Sequence, residues 1–383
     1  MTRTMLLLWS AFVLLLGGCQ FAMGGVELKP VHSSVQKPSN VAVYVAVSDG
    51  DEPLDELDES HFTVFENDNR LDKTQTQLTL LERDQVAVHH VLLLVDLSGQ
   101  LTEPSRASLK RALEGFAETV TKTQGLSIFA FDGGTEIWNL GEFPKGAAQI
   151  TIGELKSGDP SRNLNGAILA GLKRLDAHLM RVKRPIRVGT LVTLTRGPDV
   201  AGRETQQTVM DALDASPHEA FSVGLVGEDN YYLDDIGPAG KTEASSLDTM
   251  GVALEEAARR LERAHNRYYL VQYCSPARAG TPTFRLVVTY TNKEGHERSG
   301  ALELAFDASG FGPGCDPRAP PRFQVAAKEP WEIDARPRDD ASKSSPSSGA
   351  EPTPSTPGAE PNLDTDEDGD EGIVPPPDKP GYE

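Results

Sequence analysis

Chemistry suggests itself first where a serine follows an apolar run. Residues 91–95 are apolar throughout, and Asp96-Leu97-Ser98-Gly99-Gln100 comes directly after them. A hydroxyl on such a turn invites comparison with a hydrolase nucleophile, whose sharp strand-to-helix turn needs glycine two residues to either side; Asp96 and Gln100 stand there instead. The eight histidines are scattered with no His-Glu-x-x-His, and the pair His89-His90 suits the start of a strand better than a metal. Residues 310–314 are rich in turn formers, yet no helix follows that would aim amides at a phosphate. The chain is therefore not expected to be an enzyme.

The elements that would position Asp96 and Ser98 follow from the hydrophobic periodicity of residues 86–274. Short apolar runs alternate with amphipathic helical stretches, the signature of a parallel α/β sheet. Residues 91–95, 126–131, 188–194, 221–226 and 267–273 read as strands, with 133–140 as a short edge strand and a small helix near Ala147. Leu109, Leu113, Phe116, Ala117 and Val120 mark one helical face, and Ile168, Leu172, Leu175 and Leu179 another. Further helices are expected at 205–213 and 247–264. In a doubly wound sheet ligands sit at the carboxyl ends of the strands, which is where Asp96 falls.

Three loops then resemble the metal-ion-dependent adhesion site of von Willebrand factor A (vWA) domains. Asp96-Leu97-Ser98-Gly99-Gln100 resembles the first, residues 161–167 (Ser-Arg-Asn-Leu-Asn-Gly-Ala) the second and 193–197 (Thr-Leu-Thr-Arg-Gly) the third, in order, over about half the chain. The resemblance implies magnesium or manganese held by two serines and a threonine, with aspartates assisting. Here Asp96 and Ser98 persist, but Gln100 replaces the second serine, Arg162 stands at the threonine and Arg196 at the second aspartate. A guanidinium has no lone pair, so a metal-free, degenerate site is expected. Two roles for the arginines stay open: pairing with Asp96 as an internal counter-ion, or reception of a partner's carboxylate. An alignment shifted by one residue would offer Ser161, Thr195 or Asp199 as ligands.

The flanks read as β-rich. Strands are expected at 41–48, 62–66 and 77–81 before the α/β region, and at 284–291 and 300–306, joined by a turn at 292–296, after it. Too few for two independent sheets, they are expected to join as one small accessory β-sandwich around the inserted domain.

The chain's ends address its location. Arg3 and the apolar residues 5–16 form a leader too short to span a bilayer, closing on Leu16-Gly17-Gly18-Cys19. This resembles the bacterial lipobox and implies lipid on Cys19; Gln20 after it implies the outer membrane. Of the three cysteines, Cys274 and Cys315 then remain and are expected to pair outside the cytosol. A net charge of -20 over 383 residues argues against nucleic acid. From Asp316 onward, 16 acidic residues, 7 basic ones and 14 of the 27 prolines leave little to bury, so 316–383 reads as a disordered tail. Asp364, Asp366 and Asp368 begin like a calcium loop, but Pro375 occupies the place of its closing glutamate.

The expected organisation is thus a signal peptide and lipobox at 1–19, a linker at 20–37, accessory β halves at 38–85 and 275–315, a vWA domain at 86–274 and the tail at 316–383. No cofactor is expected. The expected role is an outer-membrane lipoprotein, periplasmic or surface-exposed, that binds an envelope or cell-surface protein. The alternatives are a structural component of an envelope machine and a metal-dependent surface adhesin.

Overall fold

The computed structural model describes residues 25–323 except 157, 226–231 and 247–248. Cys19, the leader, and residues 324–383 with their acidic run lie outside the described residues. In chain order the first flank holds β1 (Val26–Gln36), β2 (Asn40–Asp49), β3 (Glu52–Pro53), β4 (Phe62–Glu66), β5 (Asn69–Arg70), α1 (Lys73–Thr76) and β6 (Thr79–Leu81). The α/β region follows with β7 (Ala87–Asp96), α2 (Glu103–Val120), β8 (Gly125–Phe131), β9 (Trp138–Phe143), α3 (Leu164–Met180) and β10 (Ile186–Thr195). It continues through α4 (Gln206–Asp214), β11 (Glu219–Leu225), α5 (Tyr232–Ile236), β12 (Gly240–Ala244) and α6 (Met250–Asn266). The chain then runs through β13 (Tyr268–Cys274), β14 (Thr283–Thr291) and β15 (Glu297–Ala305).

The central sheet has the order β12-β11-β10-β7-β8-β9, parallel except for β9 at one edge. Alternation along β7 sends Val91, Leu93 and Val95 toward α2 and α6, while Leu92 and Leu94 face α3 and α4. Burial on both faces explains the unbroken apolar run. Gly171 lets α3 approach closely: a Cβ there would stand 3.0 Å from a Leu94 methyl and 3.1 Å from one of Leu191.

Several expectations for this region need correction. No helix forms near Ala147; Gly146 takes φ +74°, and the chain instead pins Ile152 and Leu155 into the core. The strand β12 escaped notice because its Lys-Thr-Glu centre is polar, and only Thr242 and Ala244 are buried. The strand expected at 267–273 forms as β13 but leaves the central sheet to pair antiparallel with β2 and β6. An apolar run specifies burial, not which sheet a strand will join.

The flanks build two antiparallel sheets, one ordered β1-β2-β13-β6 with β3 on β2, the other β15-β14-β4-β5. Alternation along β2 turns Val41, Val43, Val45 and Val47 toward a cluster completed by Phe62, Val64, Phe284, Leu286 and Leu304. Its other face, Ala42, Tyr44 and Ala46, meets Val86, Ala87 and Ile186 at the amino-terminal ends of the central strands. Residues 26–36, read as part of a linker, are strand β1, which pairs with β2 along its length. Pro30, His32 and Ser33 disguised it, and the register shifts between Pro30 and His32.

Cys274 and Cys315 are disulfide-bonded, with a Cα–Cα separation of 5.8 Å. The tail does not begin at 316, because residues 316–323 lie against the first flanking sheet. Buried Asn40 donates to the Asp316 carbonyl at 2.6 Å, and buried Gln272 to the carbonyls of Pro317 and Ala319 at 2.9 and 2.8 Å. Phe323 is buried beside His32, their rings 5.1 Å apart. Buried side-chain NH2 groups need acceptors, and this stretch of backbone supplies them.

Candidate functional site

Asp96 ends β7 with its side chain fully enclosed. Its Oδ1 accepts from the Ser98 amide at 2.9 Å. Its Oδ2 accepts from Arg162 Nε at 2.6 Å, from the Arg196 amide at 2.9 Å and from the Thr195 hydroxyl at 3.4 Å. The carboxylate therefore joins all three loops. Arg162 is held in turn by donation from Nη1 to the Pro198 carbonyl at 2.9 Å. Gly197 leaves room for it, since a Cβ there would lie 2.7 Å from that nitrogen.

Arg196 is differently placed. Its Nη2 donates to the Ser98 hydroxyl at 3.4 Å, and its Nε stands 3.9 Å from Asp96 Oδ2, buried without a hydrogen-bond partner. Burial lowers the pKa of this guanidinium; Asp96 opposes that effect and Arg162 adds to it. Formal charges of -1 for Asp96 and +1 for each arginine leave the cluster at +1. Only Arg162 makes a close ion pair with Asp96.

The remaining residues singled out in the sequence divide. Ser98 belongs to the network. Ser161 does not: its hydroxyl and amide donate to Asp159 Oδ1 at 2.7 and 2.8 Å. Gln100 is exposed and makes no hydrogen bond to Asp96, Arg162 or Arg196 among the described residues. Asp199 accepts from the Asn165 amide at 3.1 Å and the Gly202 amide at 2.8 Å, bracing the start of α3. Sequence reasoning missed Asp132, whose carboxylate accepts from the Asp159 and Gly134 amides, and Asn163, which caps α3 and donates to the Gly134 carbonyl at 2.7 Å. It also missed buried Tyr232, pushed up to about 12 chiefly by burial and sensitive to Arg162 and Asp96. Asx-type side-chain turns before a helix were the available signal.

A divalent ion does not fit this arrangement. The Arg162 guanidinium sits on the Asp96 oxygen that a metal would need, and Ser161 is turned away. Among the described residues no group of three or more His, Cys, Asp or Glu side chains is arranged to hold a metal.

The opposite end of β7 buries polarity of another kind. His89 Nε2 and the Tyr44 hydroxyl are 2.7 Å apart, and His265 meets the His89 ring edge-on at 4.4 Å with its own Nδ1 unpartnered. His90 shares a hydrogen bond with the Ser127 hydroxyl at 2.8 Å and stacks on His178. Burial foremost holds His90 and His265 down at about 3 and His89 well below its ordinary value. The His pair thus lies inside the strand, buried and neutral.

No protein-family model matches the sequence, and no curated protein is detectably similar to it. Solved structures give remote likenesses. Proximal thread matrix protein 1 from the mussel byssus is 12 % identical over 46 % of this chain, with a TM-score of 0.36, and the match covers 48 % of that protein's length. A von Willebrand factor type A protein from Catenulispora acidiphila is 12 % identical, covering 74 % of this chain and 73 % of its own, at 0.35. The PilB minor pilin from Streptococcus sanguinis is 9 % identical, covering 62 % and 79 %, at 0.37. At such scores the function of the site has to be read from its own geometry.

Proposed function

We propose that this chain is an outer-membrane lipoprotein, anchored through Cys19, that binds a protein partner at the Asp96 loops of a vWA-like domain without a metal and without catalysis. The observation that carries the reading is the unequal use of the two arginines. Arg162 pairs with Asp96 at 2.6 Å, whereas Arg196 stands 3.9 Å from the same oxygen with no hydrogen bond at its Nε, and its Nη2 reaches Ser98 at 3.4 Å. The part of the Arg196 guanidinium that reaches the surface, its side chain being 15 % exposed, takes a carboxylate from a partner and replaces the bridge that a metal makes in adhesive members of that family. The two flanking sheets serve as a β-sandwich base that carries the α/β domain. Their shared apolar cluster and the Cys274–Cys315 bond support that role.

The test places a photo-crosslinking residue at exposed Gln100 and irradiates the full chain in its native envelope. A discrete protein adduct is expected, lost with Arg196→Glu and retained with Arg111→Glu, a change on the exposed side of α2. An adduct indifferent to Arg196, or none, would overturn the reading.

A further inference from the structure

A second surface lies at the other end of the same sheet. The turn from α3 into β10 reads Met180-Arg181-Val182-Lys183-Arg184-Pro185-Ile186-Arg187, four cations in eight residues of a chain whose net charge is -20. Arg181, Lys183 and Arg184 are exposed, and Met180 leaves 74 % of its surface in water. Lys29 of β1 joins them across a mainly apolar cavity of about 230 Å³, whose lining includes Lys29, Pro30, Pro185, Arg187, Tyr268 and one carboxylate, Glu219, which is paired with Arg267. Among the described residues no carboxylate lies within 4.0 Å of Lys29, Arg181, Lys183, Arg184 or Arg187, whereas most exposed cations of α6 are paired. Arg184 and Arg187 spend one donor each on backbone carbonyls, those of Gln85 and Arg184, which fixes the turn and leaves its charge unneutralised.

We propose that this turn, with Lys29, rests on an anionic phospholipid surface, Met180 entering the headgroup layer. Unpaired cations around one exposed apolar side chain complement such a surface in both charge and polarity. The position of β1 supports the same partner. Its first residue, Val26, precedes Lys29 by three positions, roughly 10 Å along a strand. A lipid on Cys19 would be joined to Val26 by six residues, a reach of roughly 20 Å. This part of the argument rests on the proposed anchor; the charge and exposure of the turn do not. A consequence concerns the Asp96 loops. β10 runs from Ile186 beside the basic turn to Thr195 beside Asp96, about 30 Å, so the carboxylate-binding end faces away from the bilayer.

The test is vesicle flotation of residues 20–383, which contain every packed element described above and no acylated cysteine. Binding is expected to vesicles containing phosphatidylglycerol and not to phosphatidylcholine alone, and to fall as salt is raised. Arg181→Gln with Lys183→Gln should weaken it about 25-fold, at about fivefold per charge near such a surface, and Met180→Ser should weaken it less. Lys110→Gln with Arg111→Gln on α2 should leave it unchanged. Equal binding to both vesicle types, no binding, or binding indifferent to Arg181 and Lys183 would overturn the proposal. Tighter binding to soluble polyglutamate than to the vesicles would give the surface to an acidic protein instead. Failure of lipid labelling at Cys19 would remove the anchor and leave the flotation result standing.

Discussion

The two ends of β7 bury polar groups by opposite means. At its carboxyl end a fully enclosed carboxylate stays among two arginines, satisfied by donors from three loops. At its amino end three buried histidines stay neutral, sharing hydrogen bonds and ring contacts with Tyr44, Ser127 and one another. A buried charge needs a counter-charge and enough donors, whereas a buried titratable base can shed its proton. The first arrangement leaves a surplus positive charge, and the second seals one layer against another.

Removing the counter-charge should break this comparison most severely. Asp96→Ala strands Arg162 and Arg196 and is expected to cost about 3–5 kcal/mol, the usual penalty for unpairing a buried ion pair. Denaturant unfolding measures it. A loss below about 1 kcal/mol would mean that the arginines simply swing into water and that the enclosed carboxylate does not hold the loops.

Acidification should act on the other end. The folded-state values of His89, His90 and His265 lie below those of unfolded histidine, about 6.5. As pH falls through 6.5 the unfolded chain takes up protons first. Stability is therefore complete above about 6.5 and declines toward about 3, by up to about 1.4 kcal/mol per pH unit for each histidine. Melting temperature should drop between pH 7.5 and about 5.5, and His90→Gln should blunt the drop. A flat profile would show these rings to be solvated.

The smallest expected effect is none. Excess magnesium should leave the melting temperature of the wild-type protein unchanged, while the variant carrying Gln100→Ser, Arg162→Thr and Arg196→Asp should be stabilised by it. A rise in the wild type would restore the metal-dependent alternative and erase the distinction between the two ends.

The α/β layering was legible because β7 is an unbroken apolar run and α2 and α3 carry clear helical periods. Asp96, Arg162 and Ser98 were legible because their order matched a known loop pattern. What escaped was set by pairing across long separations. Tyr268–Cys274 chose β2 over the central sheet, and Val26–Gln36 became a strand only because β2 lay beside it. Residues 316–323 are ordered by the side chains of Asn40 and Gln272, some 276 and 45 positions earlier for the nearest pairs. The diversion of the Ser161 hydroxyl to Asp159 was equally invisible, because it depends on a local turn rather than on spacing.

The placement of β13 also has a mechanical meaning. The α/β region is entered after Leu81 and left before Tyr268, and Leu81 lies opposite Leu270 in adjacent strands. A pull exerted on the Asp96 loops against a tether at β1 would reach the base through both strands together. It would load the β13–β2 ladder, seven residue pairs from Tyr268 to Cys274, along its length. Hydrogen bonds sheared in parallel must yield together, so this seam resists tension better than one opened pair by pair. The Cys274–Cys315 bond fastens its far end.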